Sequence, residues 1–168
     1  MRDFEIRPTS RDDADWVEQF TVEHSLAPYV VAHGESYYPS ELPGFVAESD
    51  GERIGFVSYR IDRNEVEIVT LDTVRENIGV GTALIEAVVR ETRAVGCERV
   101  WLITTNDNLR ALGFYQKRGF ELVAIHRNAL ERSRAIKPEI PKVGLDGIPM
   151  RDEIELEIRV DPASGPRY

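Results

Sequence analysis

Two glycines two residues apart, Gly79 and Gly81 in RENIGVGTAL, lie between a β-branched run and an amphipathic run. A backbone leaving a strand and entering a helix exposes unpaired N–H groups, and the helix dipole makes that end positive. An anion is stabilised there, and glycines let a bulky phosphate approach the amides. A dinucleotide fingerprint would need a third glycine where Leu84 stands, and no GK[ST] follows to make a nucleotide-phosphate loop. The same glycines would also suit a tight turn with no ligand. Other reactive types are sparse. Cys97 is the only cysteine and follows a glycine, where a small apolar residue suits the core better than a nucleophile. His24, His33 and His126 are far apart, with no metal-ligand spacing.

The elements that must hold this junction follow from periodicity. FEIRP reads as a short strand, and a helix capped by Ser10 runs through Trp16, Val17 and Phe20. The stretch from Ala27 to Pro43, rich in Pro, Gly and Tyr, reads as a loop or short helix that could line a site. GFVAES, RIGFVSYRI and EVEIVTL, joined by the turns DGE and DRN, read as an antiparallel meander. Leu84, Ile85, Val88, Val89, Thr92 and Val95 then recur at helical spacing up to Gly96. RVWLITT is apolar enough for a central strand, a helix follows from Asn108 to Arg118, and FELVAIH and EIELEIRV are further strands around a long Pro-interrupted connection, Arg127 to Pro149. The result is a mixed α/β fold, one domain over residues 1–160, with 161–168 as a disordered tail.

Composition narrows the function classes. The 168 residues suit one domain, and 42% hydrophobic residues fill one core without metals or disulfides. Thirty acidic against 21 basic residues, a net charge of −9, repel nucleic acid and anionic membranes and mildly favour cationic ligands. With no secretory leader and no membrane-length apolar run, a cytoplasmic location is expected. An exposed edge strand could pair two subunits as a homodimer.

A second segment sharpens the reading of the glycines. NLRALGFYQKRGF, Asn108 to Phe120, together with RENIGVGTAL, resembles the two signature segments of the GNAT superfamily of acyl-CoA-dependent N-acetyltransferases, [QR]xxGx[GA] and NxxAxxFYxxxGF. The resemblance is closest from Glu65 to Phe120, extends loosely from Arg2 to Val160, and points to an uncharacterised bacterial branch. It implies a central, mostly antiparallel sheet flanked by helices. It also implies acetyl-CoA as acyl donor, no metal, and a small-molecule or peptide amine as acceptor. By the same resemblance the amides of Ile78, Gly79, Val80, Gly81 and Thr82 cradle the coenzyme A pyrophosphate. Glu76 stands where the motif has Gln or Arg and is expected to turn to solvent. Tyr115 would protonate the departing thiolate. Glu67 would be the general base, through a water, with Glu65 as the weaker candidate. Leu71 to Thr73 would pair with the pantetheine arm, with the Leu71 N–H near the oxyanion. Asn108 would contact the coenzyme or cap its helix. Strand alternation puts Glu65, Glu67, Val69 and Leu71 on one side. The acidic and Tyr-rich flanks, including Tyr37, Tyr38 and Asp146, could favour a cationic acceptor or equally be solvated loop residues, and His33, in the loop that could roof the substrate cleft, could contact substrate. A non-catalytic acyl-CoA-binding module on the same fold is the alternative.

Overall fold

The computed structural model describes residues 2–76 and 78–161; the expected tail from 162 to 168 and Asn77 of the glycine segment lie outside them. The described residues fall into two compact units. One takes those within 1–29, 38–100 and 159–168; the other is Val30–Tyr37 with Trp101–Ile158.

In the first unit, strands β1 (Glu5–Pro8), β4 (Gly44–Ser49), β5 (Glu52–Asp62) and β6 (Glu65–Thr73) lie in the order β1-β4-β5-β6. Every pairing among them is antiparallel, and the β4–β5–β6 meander is the one expected from its short turns. Helix α1 (Ala14–Ser25) covers one face, where Val17 and Phe20 pack with Val46 and Phe56. Helix α2 (Val80–Ala94) covers the opposite face, where Gly55 leaves room for Val80 and Leu84. Leu84 and Val88 are both 0% exposed, and burying each such side chain contributes roughly 1.5–3 kcal/mol. Val95, expected on the same stripe, lies past the last turn and is exposed, because α2 ends at Ala94.

The start of α1 differs in detail from expectation. Ser10 precedes a 3-10 turn, Arg11–Asp13, and the polar anchor is Asp13, whose Oδ2 accepts the Ser10 N–H at 2.8 Å. Asp13 is 1% exposed and is held by Arg7 Nη1 and Nη2, both at 2.8 Å, and by Arg53 Nε at 2.9 Å. One carboxylate thus ties β1, β5 and the helix start together. The Arg7 hydrogen bonds hold its pKa far below the usual carboxylate range, against the opposing effect of burial.

In the second unit, β7 (Arg99–Thr105), β9 (Glu153–Arg159) and β8 (Glu121–His126) lie in the order β7-β9-β8, with β8 and β9 antiparallel. Helix α3 (Leu109–Gln116) is the third expected helix, three residues shorter than the span from Asn108 to Arg118 that the pattern suggested. Two elements were not anticipated. The Ala27–Pro43 stretch forms a hairpin, β2 (Val30–Ala32) with β3 (Glu35–Tyr37), around a turn in which His33 and Gly34 both take positive φ. The long connection contains α4 (Ala129–Ile136), entered through Asn128 in the left-handed region.

Candidate active site

The first unit carries the β6 and α2 residues singled out from the sequence. The β5–β6 register pairs Tyr59 with Ile68 and Ser58 with Thr70, so Val69 has no residue opposite and forms a bulge. An extra residue reverses the alternation beyond it. Glu65 and Glu67 therefore share a face with Thr70 and Asp72, and Leu71 lies with Val66, Ile68 and Thr73 on the other. This corrects the expectation that Glu67, Val69 and Leu71 lie on one side. Glu67 is 2% exposed, and its Oε2 accepts from Arg60 Nε at 2.6 Å. On the same face Ser58 and Thr70 hydroxyls meet at 2.6 Å. Burial raises the Asp72 carboxyl above its ordinary pKa, with His24 nearby acting in the opposite sense. Leu71 and Thr73 are half-buried near the end of β6. Glu65 lies at its start, paired with Arg99 at 3.2 Å.

The glycine turn shows why its residue types are needed. Gly79 is the N-cap of α2 at φ 84°, ψ 7°, a left-handed conformation that costs a side-chain-bearing residue about 1–2 kcal/mol. No side chain caps this helix and no acidic residue occupies its first turn. The position a Gly79 Cβ would take has no atom within 4 Å. Ile78 is 47% exposed, Val80 is anchored in the core at 1%, and Gly81 and Thr82 are half-buried. Glu76 is exposed. The first-turn amides thus start a positively polarised helix end with nothing acidic beside them in that turn.

The second unit holds Asn108 and Tyr115. Asn108 is the N-cap of α3, its Oδ1 accepting the Ala111 N–H at 3.1 Å, which is the capping role. Tyr115 is 8% exposed, with its ring edge-on to Phe114 at 5.2 Å and to Phe120 at 5.4 Å. Residues ahead of α3 do more than the sequence indicated. Asn106 Oδ1 accepts the N–H groups of Arg151 and Asp152, both at 3.0 Å, and its Nδ2 donates to Pro149 O at 2.9 Å. Asp107, 3% exposed, accepts the Leu145 N–H at 2.8 Å, and a side chain at Gly144 would collide with its carboxylate. Asn106 and Asp107 are thereby the anchor for the long connection. Of the loop residues considered as acceptor contacts, Tyr37 and His33 lie together, the Tyr38 ring is tilted against that of Tyr29 at 5.7 Å, and Asp146 is exposed in a 3-10 turn. Cys97 is buried, and burial pushes its thiol pKa up, the opposite of an activated nucleophile.

A family model described as the acetyltransferase (GNAT) family matches residues 11–120, a span that includes both signature segments. The chain belongs to the GNAT acetyltransferase family. Among relatives, it is 41% identical over 157 residues to the "Uncharacterized protein YdhI" of Bacillus subtilis (strain 168), covering 93% of this chain and 98% of that one. It is 31% identical over 116 residues to an N-alpha-acetyltransferase of Sulfurisphaera tokodaii, covering 60% and 67% of the two chains. The fold is also that of a GNAT family acetyltransferase from Elizabethkingia anophelis solved with acetyl-CoA bound, at TM-score 0.66 and 20% identity, covering 95% of this chain and 100% of that one. Among the described residues of this GNAT chain no cluster of His, Cys, Asp and Glu could hold a metal, and no helix is long and apolar enough to cross a membrane.

Proposed function

We propose that residues 1–160 act as one acyltransferase domain that moves an acetyl group from acetyl-CoA to a primary amine by direct attack. The observation that carries this is the uncapped, acid-free start of α2 at a left-handed Gly79, within a segment that the GNAT family model covers. On this reading the amides from Ile78 to Thr82 take the pyrophosphate. Main-chain groups at Leu71 and Thr73 pair with the pantetheine arm, and Asn108 sets the start of α3. The amine nitrogen adds to the thioester carbonyl carbon, forming the C–N bond and a tetrahedral oxyanion, whose collapse breaks the C–S bond and releases the thiolate. The Leu71 N–H faces the tetrahedral oxyanion, and the Tyr115 phenol, protonated at neutral pH, supplies the proton the thiolate needs. Glu67 takes the amine proton through a water. Turnover of acetyl-CoA against a panel of primary amines, followed by thiol release, tests the proposal.

One observation favours a second reading. The Glu67 carboxylate is buried and tied to Arg60 at 2.6 Å, as a purely structural ion pair would be. A module that binds acyl-CoA without turning it over would show a thermal shift with acetyl-CoA and no thiol release with any amine.

A further inference from the structure

In the second unit the buried Asp152 and the half-buried Glu155 are both paired. Asp152 accepts from Arg151 Nε and Nη2, both at 2.8 Å, and from the Asn128 N–H at 2.9 Å; Glu155 meets His126 at 3.1 Å. Glu153, between them, is different. It is 3% exposed, its Oε2 accepts the His33 N–H at 3.0 Å, and its Oε1 has no hydrogen-bond partner among the described residues. Leaving a buried acceptor unpaired costs roughly 1–3 kcal/mol, and more for an ionised group. Asp107 Oδ1 is similarly unpartnered, but that carboxylate lies against Gly144 and takes the Leu145 N–H, contacts with backbone rather than with an aromatic ring.

The surroundings of Glu153 suit a cation. The His33 ring lies 5.7 Å from that of Trp101 and 5.5 Å from that of Tyr37. The Tyr37 hydroxyl donates to Glu35 Oε2 at 2.6 Å, so its 3.3 Å contact with His33 Nε2 requires the ring to donate there. The β2–β3 turn thus brings the His33 N–H to the Glu153 carboxylate and the His33 ring against Trp101 and Tyr37, and a carboxylate with aromatic faces is the combination that recognises organic ammonium groups.

We propose that Glu153, Trp101 and His33 form a recognition site for a second, positively charged group on the amine acceptor. The acceptor class is then a diamine or an amine bearing a guanidinium. The attacking nitrogen must be neutral, so the charge held here belongs to the other end. This rests on the acetyl-transfer reading for the word acceptor, and on Glu153 with its aromatic neighbours for the cation.

The test compares 1,4-diaminobutane with 1-aminobutane on the full chain, in turnover and in calorimetric titration without acetyl-CoA. Wild type is expected to show a KM at least tenfold lower for the diamine, and Glu153→Gln, whose amide oxygen still accepts the His33 N–H, to bring the KM ratio towards one. Trp101→Leu should reduce the ratio in the same direction. A wild-type ratio near one, or a ratio unmoved by Glu153→Gln, overturns the site. Should that variant not fold, Trp101→Leu decides, and a ratio it leaves unmoved overturns the site. Diamine binding that Glu153→Gln abolishes, with no amine acetylated, keeps the cation site and defeats the transferase reading. Acetylation without diamine preference does the reverse.

Discussion

Replacing Asp13 by Asn removes one negative charge and little volume from the point where β1, β5 and the start of α1 meet. Its two oxygens accept four hydrogen bonds at 2.8–2.9 Å, from Arg7 Nη1 and Nη2, Arg53 Nε and the Ser10 N–H, and a longer fifth from Ser10 Oγ at 3.4 Å. An amide turns one oxygen into a donor, so whichever way it is oriented at least two of those donors face an N–H. Breaking a buried ion pair costs about 3–5 kcal/mol. Arg7 and Arg53 have side chains 37% and 30% exposed and can rehydrate, so the low end, about 3 kcal/mol, is expected. For a chain of this size that is a Tm loss of roughly 6–12 °C. Urea is the denaturant to use, because guanidinium would screen the pair. The folded Asp13 pKa is depressed, so the advantage of wild type is fully present above the unfolded value of about 3.9 and is lost as pH falls through the lower folded value. A gap below about 1 kcal/mol at pH 7, or one that stays constant into strong acid, would refute the reasoning.

Gly79→Ala places a Cβ at φ 84° and should cost about 1–2 kcal/mol, seen as a Tm loss of roughly 2–8 °C, together with weaker acetyl-CoA binding by calorimetry. An unchanged Tm would mean the left-handed cap is not required. Asp72→Asn should raise stability at pH 7. The folded carboxyl pKa is raised by burial, so folding holds its proton more tightly and wild type loses stability as pH rises above the unfolded value. Urea melts should show that gain shrinking towards pH 3, and a gain that persists in acid would contradict the desolvation argument.

Much of this was legible in the sequence because local signals and burial agree. The β4–β5–β6 meander follows from its two short turns, and α2 from an apolar stripe closed by Gly96. The face assignment on β6 failed because one inserted residue, Val69, inverts everything beyond it, and no composition cue marks a bulge. Arg60 as the partner of Glu67 could have been found, since the DRN turn sets the register that pairs them. The β2–β3 hairpin was missed because its strands are three residues each, too short for alternation to declare itself, though His33-Gly34 is a turn pair with positive φ. Helix α4 was hidden by prolines that follow it rather than interrupt it. Asn106, Asp107 and Glu153 act through partners distant in sequence, so no local pattern exposes them.

The most direct measurement is acetyl-CoA binding and amine-dependent thiol release for wild type and Tyr115→Phe side by side. The account predicts that both bind acetyl-CoA with similar affinity and that turnover by the variant falls by on the order of 100-fold or more, the usual contribution of a positioned acid. Full turnover by Tyr115→Phe, or no binding of acetyl-CoA by wild type, would contradict it.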